Sequence, residues 1–462
     1  MRVPLLLLLL WWLIKLLYRL VRRVTGEPVL RLAVAAMAVM WVICQLASPV
    51  LAFAVLLLVT AAMIEVRFRW PDWFERWVRL PLLSWWRRFA IYARKWSAAV
   101  EFGGLAKTNK AGNTFLPVLL RVRSTSTVDK ARVRMLAGQV VDDFGRAAER
   151  LGQTFGSIDT RVRSVPGRPH EVECWFLKRD PLHQVVEPFD QAVPVDLAAL
   201  PVGLCEDGTV YKLPLLGNHV FIGGKTGAGK SCAEWAIVHA LAPCIADGTV
   251  QLVGIDPKAD ELSFGELLFS RLAYRNPAEF AAVLEEAVAV MQRRQIALRG
   301  VSRLHIPTRD EPLIVVLVDE LAALVYITDR EIKRRIEAAL GLLLSQGRAM
   351  AVSVIGCVQD PRKETVPQRG LYTVRALLAV NEEDDVALVL DRGARDRGAK
   401  ADKITLKGVA FVEVDGVAEP VRIRFCHVTD HHITTLCGGW RPETFQAVPA
   451  EELLPELGGD AA

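Results

Sequence analysis

The sequence has little that points to a disulfide-stabilised or zinc-ribbon protein. Its eight cysteines include no C-x-x-C pair, which argues against a disulfide framework and against a zinc ribbon. The excess of basic over acidic residues is also small. The formal net charge is +5 over 462 residues, so any basic surface for a nucleic acid must be local. Hydrophobic residues make up 52% of the chain, and their excess is concentrated near the N-terminus.

A long apolar run over 30–64 is the first strong feature of the sequence. It is interrupted by Gln45 and by a turn-like Ser-Pro pair, and it is too long for one straight membrane span, which needs about 20 apolar residues. It predicts a transmembrane hairpin within 29–65, with spans near 29–46 and 48–64. One long tilted or buried helix is the alternative. Arginines on both sides of the run indicate that both ends face the cytoplasm.

Two further segments flank this run. Residues 1–28 contain a leucine-rich stretch with no small-residue cleavage site after it, which predicts an amphipathic segment at the interface or a short membrane span. Residues 66–100 interleave Trp and Arg, which predicts contact with lipid headgroups. Binding of a nucleic acid by the same residue types is the alternative. We therefore expect a multi-pass protein of the inner (cytoplasmic) membrane whose large C-terminal part lies in the cytoplasm.

Residues 101–200 carry no motif with recognisable chemistry. Apolar patterns predict strands over 115–124, 157–165 and 170–180, and apolar residues at helical spacing predict a helix over 128–152. This order predicts a small α+β domain, followed by a proline-rich linker.

A glycine-rich loop follows in the stretch "FIGGKTGAGKS", which fits the pattern G-x-x-x-x-G-K-[ST]. An apolar strand precedes the loop and a helical pattern follows it. Backbone N–H groups and the helix N-terminus would cradle phosphates. Lys230 would reach the β- and γ-phosphates of ATP, and Ser231 would bind Mg²⁺. The predicted ATP-binding residues are Gly224, Lys225, Thr226, Gly227, Ala228, Gly229, Lys230 and Ser231.

A second acidic element is present in "PLIVVLVDELAAL". Five apolar residues in a row predict a buried parallel strand, and Asp319 follows at the carboxyl end, where α/β sheets bind ligands. Asp319 would orient Mg²⁺, and Glu320 would polarise the attacking water. The alternative is an Asp-Glu pair that merely begins a loop. Gln359 ends the next predicted strand, a position from which a polar residue often senses the γ-phosphate.

Strands that alternate with helices continue through 201–432. The stretches "TVQLVGIDPK", "MAVSVIGCVQD" and "LYTVRALLAV" predict strands, and 277–298 predicts a helix. This alternation predicts an α/β P-loop NTPase motor built on a doubly wound parallel sheet. Residues 433–462 would form a C-terminal tail.

These stretches, taken in order, resemble the motor domain of the FtsK/SpoIIIE DNA translocases. The resemblance rests on "FIGGKTGAGKS", "GIDPKADEL", "IVVLVDELAAL" and "SQGRAMAVSVIGCVQDPRKE", and it covers about half the chain. "CWFLKRDPL" and "LLSQGRAMAVSV" are similar to the membrane-anchored FtsK-like (TraB-type) transfer proteins of actinobacterial conjugative elements. Lys225 departs from the small residue that is more common at its place in the loop.

The resemblance implies an ATPase with a RecA-like, FtsK-type fold that forms a homo-hexameric ring and moves double-stranded DNA through its centre. ATP would lie between subunits, where an arginine of the neighbour completes the site. Arg348 and Arg375 match arginines of the family pattern, and a structural ion pair is the alternative for each. The segment "DRGARDRGAK" would be either a DNA loop or a subunit contact.

The resemblance thus implies ATP-driven transfer of DNA during conjugation. A chromosome-segregation pump and an ATPase that drives protein secretion are the alternatives. About 30 residues follow the motor, which is too few for the winged helix with which division-site translocases of this family read oriented DNA sequences.

Overall fold

The computed structural model describes residues 49–191, 193–359, 368–417 and 419–439. The chain divides into two compact units after Asp180. The predicted segment 1–28, the first predicted membrane span and the tail beyond residue 439 lie outside the described residues. Within the described ranges, no helix is both long and apolar enough to cross a membrane.

The N-terminal unit begins with helices and continues with a sheet. Its helices are α1 (Pro49–Arg69), α2 (Pro71–Phe74), α3 (Leu80–Arg87) and α4 (Ala93–Phe102), with π-helical turns over Glu75–Arg79 and Arg88–Tyr92. The remaining elements are β1 (Lys107–Thr108), β2 (Thr114–Phe115), β3 (Val118–Ser124), β4 (Val128–Arg134), α5 (Val141–Phe155), β5 (Asp159–Ser164) and β6 (Glu171–Leu177). Strands β3–β6 form an antiparallel sheet in the order β3-β4-β6-β5.

The helix predicted over 128–152 is wrong in its first part, because β4 occupies 128–134. Burial alternates there: Ala131 and Val133 are buried, whereas Arg132 and Arg134 are more exposed, which is the period of a strand. The chain then turns at Gly138, whose φ is 77°, and the helix starts only at Val141. The helical spacing in the sequence was only apparent, because the pattern combined apolar residues of the strand before this turn with those of the helix after it. The three predicted strands are confirmed.

The C-terminal unit contains one large sheet with helices. Its strands are β7 (Leu200–Cys205), β8 (Val210–Leu213), β9 (Val220–Gly223), β10 (Val250–Asp256), β11 (Arg271–Tyr274), β12 (Leu313–Val318), β13 (Val352–Val358), β14 (Val374–Leu377), β15 (Val409–Val414) and β16 (Val421–Phe425). Its α-helices are α6 (Lys230–Ala246), α7 (Pro277–Leu298), α8 (Leu321–Val325), α9 (Arg330–Gln346), α10 (Asp384–Val389) and α11 (Asp430–Gly439).

The sheet is mixed rather than wholly parallel. Its order is β11-β10-β12-β13-β9-β14-β15-β16-β7-β8. The first six strands are parallel, as predicted, whereas every pair from β14-β15 onward is antiparallel. Short turns join β7 to β8 and β15 to β16, and such turns permit only antiparallel pairing, since a parallel neighbour needs a long crossover. The prediction of a doubly wound parallel sheet is therefore correct for one part of the sheet only.

The parallel part is covered on both faces. Strands β12 and β13 are buried at every residue, as expected for strands with helices above and below. Across the sheet, the connection from β9 to β10 leads toward the β11 edge, whereas the connections from β11 to β12 and from β12 to β13 lead away from that edge. Right-handed crossovers therefore place α6 on one face, with α7 and α9 on the other. All six parallel strands present their carboxyl ends at the same sheet edge.

Candidate nucleotide-binding site

The register of the parallel strands brings the predicted site residues to one edge. Ile255 pairs with Val318, Val318 with Gly356, and Val358 with Gly223. Asp256 is the last residue of β10, and Asp319, Glu320, Gln359 and Gly224 follow the ends of their strands, so these residues lie side by side across the sheet. The structure thus brings together the glycine loop, the acidic pair and the glutamine that were predicted separately from the sequence.

The loop has the backbone that only glycines adopt easily. Gly227 and Gly229 have φ values of 77° and 95°, in the left-handed region. A Cβ atom on Gly229 would lie 2.5 Å from the backbone nitrogen of Gly408, which donates a hydrogen bond to the carbonyl of Ala228 at 2.9 Å. Gly229 is also the N-cap of α6. The N-terminus of α6 therefore faces the loop, where its N–H groups are available to an anion.

Polar side chains of the loop already face the predicted phosphate position. Lys230 donates from Nζ to the carbonyl oxygen of Gly224 at 3.1 Å, across the loop. Thr226 donates from Oγ1 to Oε1 of Gln359 at 2.9 Å, which joins the loop to the end of β13. Ser231 lies in the first turn of α6 and is half-buried. This arrangement places the ammonium and hydroxyl groups where the sequence predicts triphosphate and metal contacts.

Asp319 is an acid in a strongly perturbed environment. Burial first, and then the nearby charge of Asp256, raises the pKa of Asp319 to about 6. Asp256 is itself fully buried. Its carboxylate accepts backbone hydrogen bonds from Lys258, Asp260 and Leu262 at 3.2, 3.0 and 2.9 Å. Asp256 therefore holds the loop after β10, while Asp319 remains available at the edge.

Glu320 is fixed beside Gln359. It is buried, and its Oε1 accepts from the backbone N–H groups of Ala322 and Gln359, each at 3.4 Å. The side-chain carbonyl of Gln359 accepts a hydrogen bond from the hydroxyl of Thr226. A continuous polar chain therefore runs from Glu320 through Gln359 to the glycine loop, and this is a suitable arrangement for coupling a water-activating carboxylate to a phosphate-binding loop.

Glu234 is a site residue that the sequence reasoning missed. It lies one helical turn after Lys230 in α6 and is buried. Its carboxyl interacts with the buried thiol of Cys357. Burial and then the charge of Asp319 raise its pKa well above the ordinary value. The available signal was an acidic residue within the otherwise apolar helix "CAEWAIVHAL".

The donor set fits a magnesium ion that is held jointly with a nucleotide. The hydroxyl of Ser231 and the carboxylate of Asp319 are the hard oxygen donors that Mg²⁺ prefers, and Mg²⁺ usually takes its other ligands from water and substrate phosphates. Among the described residues, no group of three or more His, Cys, Asp or Glu side chains is placed to hold a metal ion.

The two candidate arginines are engaged elsewhere within their own chain. Arg348 lies just before β13, at the amino ends of the parallel strands and therefore opposite the glycine loop. Its Nε donates a hydrogen bond to the carbonyl of Gly217 at 2.8 Å. Arg375 is surrounded by three carboxylates, with ion-pair distances of 3.0 Å to Asp391, 3.2 Å to Asp415 and 3.7 Å to Glu413. Arg375 thus takes the structural ion-pair alternative in this chain.

The segment 391–400 is held by ion pairs of the same network. Arg395 pairs with Glu383 at 2.6 Å and with Asp402 at 3.2 Å. Arg397 pairs with the buried Glu413 at 2.7 Å. These contacts use arginines of the segment to attach it to β15 and α10, which favours a structural role for them.

Substitution of Asp319 by asparagine is expected to stabilise the metal-free protein at neutral pH. The folded-state pKa of about 6 exceeds the ordinary 3.8, so the folded protein binds more protons than the unfolded chain between these values. The charged form therefore destabilises the fold, by about 3 kcal/mol at neutral pH. The extra free energy of unfolding of the variant over the wild type should be largest above pH 6 and should disappear as the pH falls to about 4.

The measurement is urea unfolding in the presence of a chelator, at several pH values. The exposed Asp310, substituted by asparagine, is the control and should change stability little. A variant at Asp319 that is less stable than the wild type at pH 7 would show that the carboxylate is held by contacts rather than penalised by burial.

Comparisons with known proteins extend this picture. The profile of the FtsK/SpoIIIE family matches residues 183–308. The chain is 30% identical to the transfer protein TraSA of Streptomyces ambofaciens over 347 residues, which is 70% of this chain and 81% of that protein. It is 26% identical to the DNA translocase FtsK of Clostridium acetobutylicum over 276 residues, 56% of this chain and 34% of that protein. The chain therefore spans about a third of that relative's length.

Two solved structures are among those to which the chain is similar. One is the conjugation coupling protein TcpA of pCW3 with ATPγS, at 17% identity and a TM-score of 0.48, over 74% of this chain and 98% of that chain. The other is the cytoplasmic domain of the type VII secretion ATPase EccC of Thermomonospora curvata, at 21% identity and a TM-score of 0.44, over 60% of this chain and 36% of that chain.

Proposed function

The chain belongs to the FtsK/SpoIIIE family of P-loop ATPases, and from this premise we propose that it is a membrane-anchored translocase that moves double-stranded DNA at the expense of ATP. The observation that carries the proposal is the meeting of the glycine loop, Asp319, Glu320 and Gln359 at one sheet edge. These groups are what a motor needs to bind a triphosphate and to direct water onto it.

Each site residue has a chemical role in this proposal. Lys230 neutralises the charge that develops on the β- and γ-phosphates. Ser231 and Asp319 would hold Mg²⁺, which supplies further charge neutralisation to the phosphates. Glu320 accepts the proton of the attacking water. Gln359 accepts a hydrogen bond from Thr226 through its side chain and donates its backbone N–H to Glu320. From this position between the loop and Glu320, it would sense the γ-phosphate.

A neighbouring copy would complete the site in a homo-hexameric ring. Of the two candidate arginines, Arg348 suits a role in a neighbour's site better. It is exposed, and its guanidinium donates to the neutral carbonyl of Gly217. Arg375 would have to leave three carboxylates, and breaking such a network by moving one partner is costly.

We further propose that the DNA is moved between cells in conjugation. The support is the match to a protein named as a transfer protein over 81% of that protein's length, compared with a match to about a third of an FtsK translocase. The anchor in this proposal is the predicted hairpin of 29–65, which places the chain in the inner membrane with its motor in the cytoplasm.

ATP hydrolysis by the full-length protein is expected to rise several-fold when double-stranded DNA is added. The physical reason is that a ring closed around a duplex brings each neighbour's arginine into the site. The measurement is steady-state phosphate release at saturating Mg²⁺, with and without a linear duplex, and with single-stranded DNA of equal phosphate content as the matched control. Hydrolysis that is indifferent to duplex DNA would count against translocation and would favour the protein-secretion alternative.

A further inference from the structure

A stripe of large apolar side chains is exposed on the helical segment after α1. Trp70 is the N-cap of α2, and Trp73 and Trp77 follow it at spacings of three and four residues. The three side chains are 56, 51 and 41% exposed. The same spacing recurs after the first π-helical turn. The second set is Leu82, Trp85, Trp86 and Phe89, at 44, 39, 53 and 37% exposure. We call these seven side chains the tryptophan face.

The second part of this segment is attached to the sheet of the N-terminal unit. Ser84 accepts from the backbone N–H of Ser124 at 2.8 Å. The guanidinium of Arg87 pairs with the buried Asp129, which also accepts from the hydroxyl of Tyr92 at 2.9 Å. The sheet therefore holds the part of the segment that contains Ser84, Arg87 and Tyr92, while Trp85, Trp86 and Phe89 in the same part remain exposed.

Arginines accompany the exposed rings. The guanidinium of Arg69 lies 5.6 Å from the ring centroid of Trp70, that of Arg76 5.7 Å from Trp77, and that of Arg88 5.4 Å from Phe89. Between residues 67 and 89 there are six arginines and two acidic residues. The surface is thus apolar and cationic at once, and the guanidinium groups of Arg69, Arg76 and Arg88 each lie within about 6 Å of an aromatic ring centroid.

This combination favours one kind of partner. A contiguous exposed apolar patch on a folded unit marks an interaction site. Tryptophan with arginine is the composition of the headgroup region of a bilayer, where the ring enters the acyl boundary and the cation meets lipid phosphates. A protein partner would explain the rings but not the excess of arginine. A nucleic acid would need grooves or single-stranded bases for stacking, whereas the rings here line the outside of a helix.

We propose that the tryptophan face binds an anionic phospholipid surface, with Arg69 and Arg76 contacting lipid phosphates and the rings inserted beside them. This inference rests on the proposed membrane location, and it adds a second, charge-selective contact that orients the N-terminal unit on the bilayer. Each arginine next to an anionic surface strengthens such binding, and this part of the attraction is screened by salt.

The test is hydroxyl-radical footprinting of the full-length protein, reconstituted in vesicles of phosphatidylcholine alone or enriched in phosphatidylglycerol. Oxidation of Trp73, Trp77 and Trp86, resolved by mass spectrometry, is expected to be about threefold or more slower in the anionic vesicles. Tyr326 of the C-terminal unit, which is 70% exposed, should oxidise at the same rate in both. The double variant Arg69→Glu/Arg76→Glu should lose the difference between the two lipids.

The matched control is Arg146→Glu, at an arginine of the same unit whose side chain is 78% exposed, and it should keep the difference. Equal oxidation of the tryptophans in both lipids, or a difference that survives the double variant, overturns the inference. Flotation separates this failure from that of the proposed location. A chain that floats with both vesicles but shows no protection keeps its anchor and lacks this surface. A chain that floats with neither has no membrane anchor. Protection that requires added duplex DNA would assign the face to nucleic acid.

Discussion

Replacement of Lys230 by alanine is expected to lower the rate of ATP hydrolysis about 10²- to 10³-fold, because the ammonium that neutralises phosphate charge is lost from a preorganised loop. The side chain is already directed across the loop, with its Nζ 3.1 Å from the carbonyl of Gly224. The loop backbone does not depend on this contact, since Gly229 and the Gly408–Ala228 hydrogen bond maintain it. Steady-state kinetics with saturating duplex DNA measures the loss, and binding of a fluorescent ATP analogue shows how much of it is lost affinity.

The control for this variant is Lys212→Ala. Lys212 lies exposed on β8, the edge strand of the same sheet, so the chemical change is the same but the position is remote from the glycine loop. Its hydrolysis rate should equal that of the wild type. A Lys230→Ala protein that melts normally and hydrolyses ATP within a few-fold of the wild type would contradict the assignment of the loop as the phosphate site.

Replacement of Glu320 by glutamine is expected to separate hydrolysis from binding. The amide has the shape of the carboxylate, and its oxygen can still accept the backbone N–H groups of Ala322 and Gln359. It cannot take a proton from water, so hydrolysis should fall about 10²- to 10⁴-fold, the range of a general base. Affinity for ATP should change little. The two readouts are single-turnover hydrolysis and equilibrium binding of the nucleotide.

Glu266→Gln provides the comparison for this second variant, because Glu266 is exposed in the same unit. It should leave both readouts unchanged. If Glu320→Gln hydrolyses ATP at close to the wild-type rate, the proton acceptor is a different group at this sheet edge. If the variant loses nucleotide binding as well, Glu320 acts by holding Gln359 and the loop rather than on the water.

Sequence patterns predicted the local parts of the site well. The glycine loop, the buried strand before Asp319 and the helix over 277–298 are all present. Each of these depends on residues that are close in the chain, such as glycines at positions of positive φ or a run of apolar residues in a strand buried on both faces. The helix predicted over 128–152 was wrong in its first part because the pattern continued across a turn that separates a strand from a helix.

The sequence by itself therefore determined that the chain holds a phosphate loop followed by an acidic strand end, because those signals lie in short stretches. Only the tertiary structure decided which residues far apart in the chain meet. The Thr226–Gln359 hydrogen bond spans 133 residues, and the carboxylates around Arg375 come from different loops and strands. The burial of Glu234 beside Cys357 likewise follows from the packing of α6 on the sheet. Strand register and burial create these contacts, and neither is encoded in the local spacing of residues.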